Sequence, residues 1–246
     1  MIQGRKLLEQ GLSQLNIQFT DKQIEQFMKY YDLLIEKNKV MNLTAITDEN
    51  DFLVKHIIDS MAVIKAGDKI KNILYDSKKR IIDVGTGAGM PGIIIKICFP
   101  DSNIVLFDSL KKRLNFLDEV ISELSLKNIY TLHGRAEDIG RDNKYRESFD
   151  LVVSRAVANM STLSEYCIPL LKKSGIFIPY KSGDIDTELK ESEKAIKILG
   201  GTCREVIKYN LPETDMKRSL LIIEKSVNTP KAYPRRAGIP AKEPLK

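Results

Sequence analysis

From Arg80 onward the sequence alternates short apolar runs with stretches of helical character, and few architectures tolerate that pattern. The runs are IIDV, NIVLFD, NIYTLH, FDLVVS, GIFIPY, CREVIKYN and SLLIIEK. Strands spaced by helices imply right-handed crossovers and a parallel sheet covered on both faces. Only LPETDMKR separates the last two runs, so they are expected to pair antiparallel at one edge. The expected fold class is α/β: seven strands, mostly parallel, with an antiparallel edge hairpin.

The residues before Arg80 read differently. Ile24, Phe27, Met28, Tyr31, Leu34 and Ile35 form an amphipathic helical stripe. A second stretch, DENDFLVKHIIDSMAVIKAG, opens on an Asp/Asn cluster suited to an N-cap and ends at Gly67, a usual helix stop. Three segments are expected: a helical extension over 1–67, the sheet-bearing core over 68–227 and a tail over 228–246.

That tail, NTPKAYPRRAGIPAKEPLK, holds five Lys/Arg against one Glu, or +4 of the chain's net +6, and four of its nine prolines. The prolines argue against helix and central strand. A basic extended tail suits a polyanion through counterion release, and Arg235 and Arg236 are its candidate contacts. The competing expectation is that it packs back on the body through Tyr233, Ile239 and Leu245. If the tail tracks RNA, its deletion should leave affinity for a small-molecule ligand unchanged.

Three scattered cysteines and two histidines argue against a disulfide framework and against structural zinc, so no metal is expected. No apolar run reaches 18 residues, and the first residues lack a basic end followed by an apolar block. No membrane association is expected, and the cytoplasm is the expected compartment.

The first strand runs into IIDVGTGAGMPGIII. Proline favours a first helical turn, so the next helix should begin near Pro91, with Gly85 to Gly89 as the strand-to-helix turn. Backbone without Cβ lets a ligand approach closely, here one with a ribose or phosphate moiety. Asp108, ending the second strand 19 residues past Gly89, can accept from ribose hydroxyls or cap the helix that follows. Ala136 and Glu137, after the third strand, offer a backbone N–H and an acceptor to an adenine edge. The glycine pattern alone fits a dinucleotide as well as an adenosyl cofactor; the three features on successive strands specify adenosine.

The stretches MNLTAI, VKHIIDSM, DVGTGAGMPG, FDSLKKR, GRAED, VVSRAVA, PYKSG and KRSLLIIEK resemble the class I S-adenosylmethionine methyltransferases. Within them they resemble the RsmG or GidB family of small-subunit rRNA guanine-N7 methyltransferases. DSLKKR and SRAVA carry most of the likeness, and Lys55 departs from the arginine frequent there. The resemblance implies a Rossmann-like methyltransferase sheet, with S-adenosylmethionine as cofactor and 16S rRNA or the small subunit as partner. Gly85 and Met90 would line its methionine and ribose part, Ala136 and Glu137 its adenine end, and Arg155 would also lie in the cofactor site. Gly87, Gly89 and Asp108 join these from the reading of the turn. A monomer is expected.

The residues themselves narrow the reaction. The fourth strand ends in SRA rather than an Asn/Asp-Pro-Pro-aromatic turn that grips an exocyclic amine, and no cysteine follows a strand end as C5-pyrimidine methylation requires. Guanine N7 has its own lone pair and needs no proton removed, so positioning would do most of the work and no catalytic residue is assigned. His56, Asp59, Arg155 and Lys181 are candidates for positioning the base, and Lys111, Lys112 and Arg113 for RNA phosphate. Two other readings are a nicotinamide-dependent oxidoreductase and an RNA-binding assembly factor with a vestigial cofactor pocket.

Overall fold

In the computed structural model residues 2–15, 17–183, 185–212 and 214–245 are described; Lys246 of the tail lies outside them. Helices α1 (Ile2–Gln14) and α2 (Asp21–Met41) open the chain. A capping box starts α2: Thr20 Oγ1 accepts from the Gln23 N–H while the Gln23 side chain accepts from the Thr20 N–H. Asp48 caps α3 (Glu49–Phe52), which continues through a π-helical turn (Leu53–Ile58), α4 (Asp59–Met61) and a 3₁₀ turn (Ala62–Ala66) to Gly67. Helix α5 (Asp68–Tyr75) follows.

The core then alternates as β1 (Arg80–Val84), α6 (Gly92–Cys98), β2 (Asn103–Asp108), α7 (Lys111–Glu123), β3 (Ile129–His133), α8 (Ala136–Ile139), β4 (Phe149–Arg155) and α9 (Met160–Cys167). It ends in β5 (Leu171–Ser182), α10 (Asp186–Ile198), β6 (Gly201–Asn210), β7 (Lys217–Lys225) and a single turn, α11 (Ile239–Lys242). All seven strand runs of the sequence are strands. Their order is β3-β2-β1-β4-β5-β7-β6, parallel from β3 through β5, with β7 antiparallel to both of its neighbours. The order reverses at β1 and β4, and the crevice beyond their carboxyl ends is where open α/β sheets bind ligands.

Successive residues face opposite layers, as the pleat demands. Ile81, Leu106, Val153 and Ile178 join a cluster with Leu12, Phe27 and Leu34 of the opening helices and Leu117 of α7. Ile82, Phe107, Val152 and Phe177 face Met160, Leu163 and Ile196 of α9 and α10. The helices before Arg80 thus share one apolar core with the sheet, and two hydroxyls tie them to it. Tyr30 donates to Ala88 O in the glycine turn (2.6 Å), and Tyr180 donates to Ser60 O (2.6 Å).

The tail departs from its expected irregularity. Pro240 lies in the first turn of α11, where a missing N–H leaves no helical bond unmade, so proline does not forbid the turn. The tail also packs on the body, with Pro234 and Pro240 buried and Tyr233 and Leu245 against the α9/α10 cluster. Arg235, expected to meet RNA, is instead paired with the fully buried Glu165 through its Nη2, at 2.7 Å. A carboxylate buried without a partner costs far more than an exposed cation gains, and that holds the arginine inward.

Candidate functional site

The strand β1 ends at Val84, and the chain turns with Gly85, Gly87 and Gly89 at φ of +71°, +60° and +105°. Asp83 pins this turn: its Oδ2 accepts from Thr86 Oγ1 (2.6 Å) and from the Gly92 N–H at the start of α6 (2.9 Å). Its Oδ1 is buried with no partner among the described residues. Burial pushes the Asp83 carboxyl up to about 6, against the pull of those two hydrogen bonds.

Not every glycine faces a ligand. A Cβ on Gly85 would come 2.4 Å from Val157 Cγ2, so its bareness admits the loop after β4 to the mouth of the crevice. A Cβ on Gly89 would meet Ile93, Leu117 and the Tyr30 hydroxyl, which is a packing reason rather than a ligand reason. Met90 is buried, and its N–H donates to Thr86 O, closing the turn on itself.

Beyond the strand ends lies a cavity of about 370 Å³ lined by Gly85, Asp108, Ala136, Glu137, Val157 and Tyr166, among others. Asp108 is buried; its Oδ2 accepts from the Gly87 N–H (3.0 Å) and its Oδ1 from the Leu110 N–H (2.8 Å). One carboxylate therefore both braces the glycine turn and caps the approach to α7. Arg113, expected on RNA phosphate, lines this cavity too, with Nη1 3.4 Å from Asp108; Lys111 and Lys112 are exposed at the start of α7. The residues lining it fit an adenosyl group: backbone at Gly85, a carboxylate at a ribose position in Asp108, and an N–H and acceptor pair at Ala136 and Glu137.

A second cavity of about 630 Å³ shares Ala156 in its lining with the first. His56, Asp59, Arg155 and Lys181 all line it, so the structure brings together the four positioning candidates. Arg155 lines this cavity and not the first: its guanidinium donates to Lys55 O (3.2 Å) and Asp59 Oδ2 (3.3 Å) and lies 3.1 Å from His56 Nδ1. His56 Nδ1 also lies 3.1 Å from Lys55 O, so a donor and an acceptor meet at that nitrogen, while Nε2 faces Thr44 Oγ1 at 3.1 Å. Burial, then the Arg155 charge, pushes the His56 imidazole down to about 3, so it is neutral at physiological pH.

Asp59 is held from three sides. Besides Arg155 it accepts from the Tyr209 hydroxyl (3.0 Å) and lies 3.4 Å from Arg218 Nε. Lys181 donates to Glu188 (2.7 Å) and to Ala158 O (2.9 Å), which fixes the loop between the cavities. Among the described residues lining this cavity, each carboxylate is held by a cation and both imidazole nitrogens are in contact with polar partners.

Arg218 and Tyr209 did not stand out in the sequence. They reach the site because β7 is inserted antiparallel between β5 and β6, placing Arg218 opposite both Ser182 and Tyr209. The only sequence signal was the basic pair opening KRSLLIIEK, which spacing alone assigns to no site.

Known proteins match this chain over most of its length. The family GidB, described as rRNA small subunit methyltransferase G, matches residues 23–218. The chain is 51% identical over 238 residues to the Ribosomal RNA small subunit methyltransferase G of Lachnoclostridium phytofermentans, covering 96% of this chain and 95% of that one. Among solved structures it is similar in fold to the fibrillarin pre-rRNA processing protein of Methanococcus jannaschii, with a TM-score of 0.52, 17% identity, and 68% and 74% of the two chains covered. It is also similar to M. jannaschii TYW2 in complex with AdoMet, with a TM-score of 0.50, 14% identity, and 64% and 74% covered.

Proposed function

The chain belongs to the rRNA small subunit methyltransferase G family, and from that premise we propose that it transfers a methyl group from S-adenosylmethionine to N7 of a guanine in 16S ribosomal RNA. The observation that carries this reading is the pair of cavities that share Ala156 in their linings, one suited to an adenosyl group and the other without a free base.

When bound, S-adenosylmethionine supplies an electrophilic methyl on a sulfonium. Its transfer to guanine N7 would need no proton removed from the base. The protein's part is then to hold two reactants in line. In the cofactor cavity the roles follow the geometry: Gly85 gives backbone access, Asp108 accepts from ribose hydroxyls, and Ala136 N–H with the Glu137 carboxylate meets the adenine edge. Gly87 and Gly89 shape the turn, and Met90 backs it.

In the second cavity, guanine presents acceptors at O6 and N7 and donors at N1 and N2. Arg218 or Lys181 can donate to O6 and leave N7 free. Neutral His56 and the braced Asp59 hold the Arg155 guanidinium in place, so Arg155 is a positioning residue between the cavities. Lys111, Lys112 and Arg236 are left exposed for RNA phosphate.

No helix among the described residues is long and apolar enough to cross a membrane, and none of their His, Cys, Asp and Glu side chains cluster as a metal site. We propose that it acts as a monomer in the cytoplasm, where a small-subunit substrate would be met. Incubation with methyl-labelled S-adenosylmethionine and small-subunit RNA should place label in 7-methylguanosine. Label in another nucleoside would overturn the N7 assignment, and no transfer to naked RNA or to small subunits would favour the assembly-factor alternative.

A further inference from the structure

The tail ends in a place that its composition does not explain. Residues 228–245 run back over α8 and α9, held by charged groups of the body. Arg146 donates to Thr229 O and Tyr233 O (both 2.7 Å), and Arg141 Nε donates to Pro234 O (2.7 Å). Glu165 accepts from the Arg235 backbone N–H (2.7 Å) as well as from its guanidinium. Thr162 Oγ1 donates to Pro240 O at 2.9 Å.

Past this latch the strap reaches the cofactor cavity. The Gly238 N–H donates to Glu137 Oε1 at 2.8 Å, and Gly238 and Ala241 line the same cavity as Gly85 and Asp108. A carboxylate with one oxygen tied to backbone presents its group in a fixed orientation, and a methyl side chain at position 241 leaves room where a larger one would not.

We propose that the C-terminal strap is the outer wall of the adenine subsite: Gly238 orients the Glu137 carboxylate toward the adenine edge, Ala241 closes the cavity, and Arg235 with Glu165 latches the wall in place. This rests on reading the cavity as the S-adenosylmethionine site. It reverses the expectation that tail deletion spares small-molecule affinity, because the tail supplies part of the binding surface.

The test is calorimetric titration of S-adenosylhomocysteine into full-length protein, with melting temperature measured on the same samples. Ala241→Trp fills the cavity from the wall. Its dissociation constant should rise at least about tenfold with the melting temperature unchanged, since residue 241 is exposed to solvent and its backbone is not altered. Lys242→Trp, the exposed neighbour that does not line the cavity, should bind as the wild type does. Arg235→Ala should both melt earlier and bind more weakly; if it fails to fold, the Ala241 comparison still decides. Wild-type affinity in Ala241→Trp, or equal losses in the two tryptophan variants, overturns the proposal. A wild type that binds no S-adenosylhomocysteine rejects the reading of the cavity itself, and the wall with it.

Discussion

The acceptor cavity turns on one imidazole that does not titrate where histidines usually do. His56 is neutral in the fold down to about pH 3, whereas the unfolded chain takes up a proton near 6.5. Between those values the unfolded state binds more protons, so the stability His56 contributes is fully present above pH 6.5 and is lost as pH falls toward 3. Asp83 works in the opposite sense: its folded carboxyl, raised to about 6, protonates before the unfolded one, so its contribution grows as pH falls from 6 toward 4. The two offset each other in the wild type. His56→Gln removes only the first, so urea titrations at pH 6.5 and 4 should show the variant losing about 2–3 kcal/mol less than the wild type over that interval. Parallel losses in the two proteins would mean that His56 is not held neutral. The sequence offered His56, Asp59, Arg155 and Lys181 as positioning candidates, but the burial and the contact that keep His56 neutral were not legible in it. The shift comes first from burial and then from the charge of Arg155, which lies 99 residues away.

At the scale of elements, the sequence announced what depends on local pattern. The seven strands, the amphipathic stripe of α2, the Asp/Asn cap before α3 and the glycine turn before α6 all follow from periodicity, cap chemistry and the absence of Cβ, which act within a few residues. What it did not announce depends on pairing: β7 threading between β5 and β6, which delivers Arg218, and the π-helical turn that carries Lys55 and His56. The tail was misjudged for the same reason, since proline rules describe the local backbone while Glu165 and Glu137, which fix the tail, lie 70 and 101 residues away. The tie between α2 and the glycine turn is likewise long-range. Tyr30 is fully buried, and burial pushes its hydroxyl well above the usual phenol range, so it stays a donor to Ala88 O. Tyr30→Phe leaves that carbonyl without its partner and should cost about 1–3 kcal/mol in chemical denaturation, with weaker cofactor binding if the hydroxyl shapes the turn. A stability unchanged to within a few tenths of a kcal/mol would show that the carbonyl finds another donor.

Across the whole molecule, one crevice at the reversal of strand order collects residues from the opening helices, from four strand ends, from the edge hairpin and from the last turn of the chain. The helices before the sheet bring His56 and Asp59, β4 brings Arg155, the β6–β7 hairpin brings Tyr209 and Arg218, and α11 brings Ala241. Each titratable group so gathered is paired or neutral, which fits a reaction whose nucleophile needs no deprotonation. That is the central claim, and the pH dependence of methyl transfer tests it most directly. Single-turnover transfer to small-subunit RNA, measured from pH 7 to 9 with the modified nucleoside identified in the same samples, should yield 7-methylguanosine at a rate constant that stays within about twofold, because no group must lose a proton in that range. A rate constant climbing about tenfold per pH unit, or label in a nucleoside whose nucleophile must first be deprotonated, would contradict it.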